Sequence, residues 1–292
     1  EPSSLDLPKS TIWGFNGTFP GPMINAEYGR PCLVRFENQL PSSGPVPQDF
    51  GAPDKAFLTH LHNAHTAPES DGNPFHKPCP YGPGEWVNNL YLNWPAGGDD
   101  REKQSFFWFH DHRMDHTGAN VYKGMVGLYP IYDPIKDHGN EADPSGLRLP
   151  GIRDENGDGS FDVKYDIPLA FYDCRLDDGV TPHQDFHNGC GQTHPEWWGQ
   201  TYFKHFPDHG FVGDIFTVNG VACPVMHVKR RKYRFRFLDA SITRQYEFKL
   251  MKGDVAAAPG QQGQYNFVDG RGRNTLGRQV MRFRQIATDG GL

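Results

Sequence analysis

Residues 105 to 112 read SFFWFHDH, an aromatic run that ends in a histidine, an acid and a second histidine. In a β-strand, side chains at i and i+2 point to the same face, about 6.6 Å apart along the chain at roughly 3.3 Å per residue. His110 and His112 therefore present two imidazoles to one side. HLH at 60 to 62 repeats the arrangement with His60 and His62. Neutral imidazole suits zinc, copper, iron and nickel, so the two pairs together offer a four-nitrogen metal site. Spacing does not count the metals, since a pair converges on one ion or straddles two. The plainer reading, polar residues that need no ligand, suits a lone histidine such as His138 or His209. It suits two same-face pairs behind apolar runs poorly, because buried imidazoles need partners and a metal supplies them. Asp111, between the second pair, faces the other side of the strand and reads as structural.

Outward from this stretch, runs rich in Val, Ile, Phe and Tyr recur between turn signals: CLVRF (32–36), MVGLYPIYD (125–133), YDIPLAFYD (165–173), DIFTVNG (214–220), KYRFRFLD (232–239), YEFKLM (246–251) and MRFRQIATD (281–289). KYRFRFLD alternates basic with aromatic residues, the mark of a strand with one buried and one wet face. With 34 Gly and 25 Pro, the composition suits strands and turns better than helices. The pattern predicts an all-β chain of sandwich type. Its 292 residues, at roughly 150 per domain, suggest two domains. The first spans 1–134. The polar, turn-rich stretch 135–164 reads as a linker or a long hairpin, and 165–292 as a second domain with too few strands to close its sandwich. On that reading the polypeptide continues past Leu292.

Lys and Arg total 29 against 35 Asp and Glu, a net charge of −6. No basic run is available to neutralise phosphates, which argues against nucleic acid and anionic membranes as partners. No segment approaches the roughly 20 apolar residues of a membrane span, and EPSSLDLPKS at the N-terminus lacks the pattern of a signal peptide. Five cysteines, Cys32, Cys79, Cys174, Cys190 and Cys223, share no C-x-x-C spacing and fit neither a dense disulfide framework nor a structural zinc site. One bridge, Cys174 to Cys190, is the alternative. NGT at 16–18 is a sequon that arises often by chance. HNGCGQTHPEWWGQTYFKHF (187–206) gathers His, Cys and Trp, and a packed loop is a plainer reading than an extra metal site. DENGDGSFDVKY (154–165) puts Asp154, Asn156, Asp158, Gly159 and Asp162 at calcium-loop offsets. Tyr165 replaces the bidentate Glu and no helices flank the loop, so an acidic turn is the plainer reading and calcium the alternative.

HLHNAHTAPESDG (60–72) followed by FWFHDHRMDHTGANVYKGMVGLYPIYDP (107–134) resembles the N-terminal domain of the multicopper oxidases, in particular the bacterial spore-coat laccase, bilirubin oxidase and phenoxazinone synthase group. NGTFPGPMINAEYGRPCLVRFENQLP (16–41) is similar to that family's opening strands. FTVNGVACPVMHVKRRKYRFRFLDASITRQYEF (216–248) and QIATDGGL (285–292) are similar to its second domain. The resemblance implies tandem cupredoxin-like Greek-key β-sandwiches that bind copper. It assigns His60 to the type 2 copper and His62, His110 and His112 to the type 3 pair. It makes Asp71, the acid of ESDG, the carboxylate that relays protons to oxygen; without the resemblance Asp71 reads as a surface turn acid.

A type 1 copper site needs a Cys with two His, and none of the five cysteines has that context. The resemblance places that site in a third domain outside this chain. It implies the N-terminal portion of an oxidase that couples one-electron oxidation of a phenolic, aminophenolic or bile-pigment substrate to four-electron reduction of O2 to water, inactive without its C-terminal region. The expected partners are O2, a small aromatic reductant and the remaining polypeptide, and a secreted, periplasmic or surface location is favoured over the cytoplasm. The rivals are a mononuclear zinc hydrolase or lyase using three of the four histidines and a water, and a copper-binding scaffold without turnover.

Overall fold

The structure, a computed structural model, describes residues 12–44, 51–75, 80–94, 98–177, 183–184, 191–192, 199–201, 213, 215–250, 254–255, 265–266, 271 and 282–288. The chain divides into two compact units, one of Pro8–Arg244 with Ala287–Leu292 and one of Glu1–Leu7 with Gln245–Ile286.

The larger unit opens with β1 (Ala26–Glu27), β2 (Cys32–Glu37), β3 (Thr59–His62), α1 (Pro68–Asp71), β4 (Trp86–Tyr91), β5 (Ser105–Asp111), α2 (Thr117–Tyr122) and β6 (Val126–Tyr132). One sheet runs β1-β6-β5-β3 and a second pairs β2 with β4. Alternate residues of each strand meet in the layer between them, where Phe36, Leu61, Val87, Tyr91, Phe107, Phe109, Tyr129 and Ile131 share one core. Burying that apolar surface, at roughly 25 cal/mol per Å2, is the main force holding the sheets together. Strand β6 is buried along its whole length, which is why MVGLYPIYD reads as a continuous apolar run without alternation. Its Tyr129 and Ile131 enter the sandwich core, and its Val126 and Leu128 face the other way, onto Ala170, Leu238 and Ala240.

Ala170 and Leu238 belong to a third sheet, and Ala240 directly follows one of its strands. After the hairpin β7 (Ile152–Glu155) and β8 (Phe161–Lys164) come β9 (Asp166–Asp177), β10 (His183–Gln184), β11 (Gly191–Gln192), β12 (Gly199–Thr201), β13 (Ile215–Val218), β14 (Val221–Ala222) and β15 (Arg234–Asp239). The long strand β9 takes β13 antiparallel and β15 parallel. In β15 the basic face is the buried one. Arg234 and Arg236 are 7% and 6% exposed, against 40% and 44% for Phe235 and Phe237. The guanidinium of Arg236 reaches Asp166 at 2.8 Å and that of Arg234 reaches Asp137 at 2.6 Å, so each buried charge has its counterion. The smaller unit contains an antiparallel pair, β16 (Asp254–Val255) with β17 (Tyr265–Asn266).

Two expectations need correction. YEFKLM forms no strand over its described residues 246–250, and in MRFRQIATD residues 282–287 form none either, with a single bridge at 288. Alternating side chains favour an extended backbone, but a strand also needs a hydrogen-bonded neighbour. The plainer reading of 154–165, an acidic turn, suits its partners. Asp154 accepts from Lys164 Nζ at 2.7 Å, Asp158 accepts from the Ser160 backbone N–H and hydroxyl at 2.9 and 2.6 Å, and the segment is the β7–β8 hairpin. The hairpin is anchored by Phe161 and Val163 against Tyr132 and by Arg153 on Glu27 at 2.7 Å. Cys79, Cys190 and His209 lie outside the described residues, as does most of 187–206. Among the described residues no helix is long and apolar enough to cross a membrane.

Candidate metal centre

The ladder between β3 and β5 decides the site. Its antiparallel register pairs Thr59 with Asp111, His60 with His110, Leu61 with Phe109 and His62 with Trp108. One step beyond, His112 N–H donates to Leu58 O at 2.7 Å. Because parity alternates along both strands, this register sends Leu61, Phe107 and Phe109 into the core and all four histidines to the opposite face. A slip of one residue would exchange the two sets. Ring centroids of His60 stand 5.8, 5.6 and 4.9 Å from those of His62, His110 and His112. One nitrogen each from His60, His62 and His110 lies within 4.8 Å of the other two, the one such convergence among the described residues. His112 stands at the margin of this trio, beside His60.

Hydrogen bonds fix which nitrogen faces inward. His60 Nδ1 donates to the backbone carbonyl of Asp71, and His110 Nδ1 donates to the carbonyl of Asp111 at 2.6 Å. Each bond sets the tautomer and leaves the Nε2 lone pair as the ligand, the arrangement usual for metal-bound imidazole. Burial lowers the pKa of both rings, opposed by these carbonyl bonds, and His110 is pushed down to about 3. Neutral imidazoles are the form that binds metal. His112 Nδ1 is buried without a hydrogen-bond partner, a cost that coordination would remove. The donor set therefore fits a soft or borderline transition metal such as copper.

Asp71 arrives from a single helical turn. Pro68 starts α1, and Gly72 ends it in the left-handed region at φ 70°. A Cβ on Gly72 would come within 2.1 Å of Thr59 O, so glycine alone lets the turn lie this close to β3. Ser70 Oγ accepts from Leu90 N–H at 3.0 Å and ties the turn to β4. The carboxylate of Asp71 lies 3.4 Å from His60 Nδ1, behind the ring relative to Nε2, and accepts from the Thr66 hydroxyl at 2.9 Å. Asp111 points into the protein as its position in the strand predicts. It is fully buried, accepts from Leu58 N–H, Arg113 N–H and Asn120 Nδ2, and is pushed up to about 6 by burial. Sequence reasoning missed Thr66 and Trp108, although strand parity puts Trp108 on the histidine face two residues before His110.

A β-sandwich with four imidazoles on one sheet face defines a cupredoxin-like metalloprotein. Residues 2–136 match the family model described as multicopper oxidase. A laccase of Bacillus subtilis is 29% identical over 286 residues, covering 88% of this chain and 47% of the laccase. A laccase of Haloferax volcanii is 30% identical over 284 residues, covering 91% and 41%. The crystal structure of a multi-copper oxidase from Pseudomonas thermotolerans superposes with a TM-score of 0.53 at 18% identity, over 84% of this chain and 45% of that one, a likeness of fold. The chain belongs to the multicopper oxidase family. It spans less than half the length of these two laccases.

Proposed function

We propose that this chain is the N-terminal, copper-binding portion of an oxidase that couples one-electron oxidation of a small phenolic, aminophenolic or bile-pigment substrate to reduction of O2 to water. The observation that carries the reading is the β3–β5 register, which gathers His60, His62, His110 and His112 on one face. Resemblance gives His60 to a type 2 copper and the other three to a type 3 pair. Copper bound there supplies reversible one-electron chemistry toward O2. The chain's own contribution is to hold neutral, oriented ligands: carbonyl clamps on His60 and His110 keep the protons on Nδ1. Asp71, its carboxylate 3.4 Å from His60 Nδ1 and steadied by Thr66, is the group we assign to hold a proton beside the site. The type 1 site and the remaining cluster ligands come from polypeptide outside residues 1–292, and a secreted, periplasmic or surface location suits the protein.

The test is metal analysis of the native polypeptide, followed by oxygen uptake with aminophenols and bilirubin. Copper together with uptake that disappears in His110→Ala is the expected outcome. A single zinc per chain with no uptake would move the assignment to a hydrolase or lyase, and copper without turnover in the whole polypeptide would leave a scaffold.

A further inference from the structure

His60 and His110 are oriented by backbone carbonyls, whereas His62 lies against an indole. Trp108 is the Cα partner of His62 across the β3–β5 ladder and shares the face of His110 two residues on. Its ring stacks on both imidazoles, with centroids 5.0 Å from His62 at 27° and 4.0 Å from His110 at 25°. The two imidazoles are themselves 5.3 Å apart, with His62 Nδ1 3.1 Å from His110 Nε2. One indole thus braces one ring from each His-x-His motif. Stacking consumes no nitrogen, so it orients a ligand without competing for its lone pair. On the same face Trp108 packs against the cluster of Val126, Leu128, Ala170, Leu238 and Ala240, where β6 meets β9 and β15. The sheet of β9, β13 and β15 therefore braces the indole that braces the ligands.

We propose that Trp108 is a positioning residue for the metal centre, holding His62 and His110 in their mutual orientation and making metal affinity depend on the packing of the β9–β13–β15 sheet against it. The proposal rests on the metal reading of the four histidines. Residues that orient metal ligands typically change affinity about 10- to 100-fold.

The experiment titrates Cu2+ into the metal-free whole oxidase and into its Trp108→Phe, Trp108→Leu and Val163→Ala variants, following affinity by competition with a chelator, ligand geometry by electron paramagnetic resonance, and apo-protein melting. Val163 packs with Tyr132 and Phe161 in a separate cluster and controls for plain destabilisation. Trp108→Phe, which keeps an aromatic face, should bind within about 3-fold of wild type with the same spectrum. Trp108→Leu should lose about 10-fold or more in affinity with altered copper hyperfine splitting, and Val163→Ala should melt earlier yet bind normally. Wild-type affinity and spectrum in Trp108→Leu would overturn the proposal, as would losses that simply track melting temperature across all three variants. A whole wild-type oxidase that takes up no copper would instead overturn the metal reading and this inference with it.

Discussion

His60 and His110 face each other as Cα partners across the β3–β5 ladder, their rings 5.6 Å apart and nearly perpendicular at 83°. Two motifs whose first histidines are 50 positions apart in sequence, His60 and His110, meet through one cross-strand pair. Partners this close share whatever lies between their nitrogens. Removal of either ring should therefore affect the metal far more than the fold. We expect His60→Ala and His110→Ala each to lower copper retention after dialysis by about 10-fold or more while the far-ultraviolet circular dichroism spectrum is kept. Full copper retention in both variants would remove these residues from the ligand set.

Asp71 gives a prediction of the opposite kind. Its backbone carbonyl clamps His60 whatever the side chain is. Asp71→Asn should keep copper content and slow oxygen uptake by the whole oxidase about 10-fold or more, the range in which a positioned proton donor contributes. Gly72→Ala should disturb the clamp itself, because its Cβ would strike Thr59 O and φ is 70°. It should cost about 2 kcal/mol or more of stability and reduce copper content as well. Copper loss in Asp71→Asn with retention in Gly72→Ala would invert this assignment.

Much of this was legible in the chain, and what was not has a physical reason. The aromatic run ahead of His110 and the i, i+2 spacing announce a strand with a functional face, and the structure keeps both. WVNNLY (86–91), the strand β4, lies in a stretch, 72–104, that reads as irregular in the sequence, because its inward residues are Val87, Asn89 and Tyr91 while Trp86 and Leu90 lie outside, so polarity and burial disagree. Asn89 is tolerated inside because its amide donates to Thr59 O and Tyr91 Oη. The β3–β5 register was equally hidden, since it depends on a pairing that no local pattern encodes. YEFKLM shows the reverse failure: its pattern is that of a strand, yet the described residues supply no ladder for it.

Lys123 should leave a signature in the pH dependence of stability. It is fully buried at the end of α2, with Nζ 5.3 Å from the centre of the Trp13 ring. Burial draws its pKa down to about 8, whereas an unfolded lysine titrates near about 10.4. Between those values the unfolded chain binds the extra proton, so stability rises with pH, and below the folded value the full cost of burying the ammonium is present. The unfolding free energy of wild type minus that of Lys123→Met should increase by roughly 2 kcal/mol between about pH 7.5 and 9.5. A difference that stays flat across denaturant titrations in that window would show that Lys123 titrates normally.

A buried network of charges and hydrogen bonds holds the first sandwich to the sheet of β9, β13 and β15. Asp166 opens β9, its side chain 1% exposed, and accepts from Arg236 Nε at 2.9 Å, from an Arg236 terminal nitrogen at 2.8 Å and from Tyr132 Oη at 2.9 Å. Arg234 stands 3.7 Å away and is held by Asp137. Tyr132 belongs to β6, so this network spans the contact that also seats Trp108. Asp166→Asn preserves shape and removes the charge, leaving the buried Arg236 guanidinium without its counterion. Breaking a buried pair from one side costs about 3–5 kcal/mol, and the denaturation midpoint should fall accordingly. Asp166→Leu combined with Arg236→Met removes both charges and should recover most of that loss, since well-packed apolar replacements of a buried pair are often neutral or better. If the double variant is as unstable as Asp166→Asn, the network contributes through its hydrogen bonds to Tyr132 and Ser105 O instead of through charge balance.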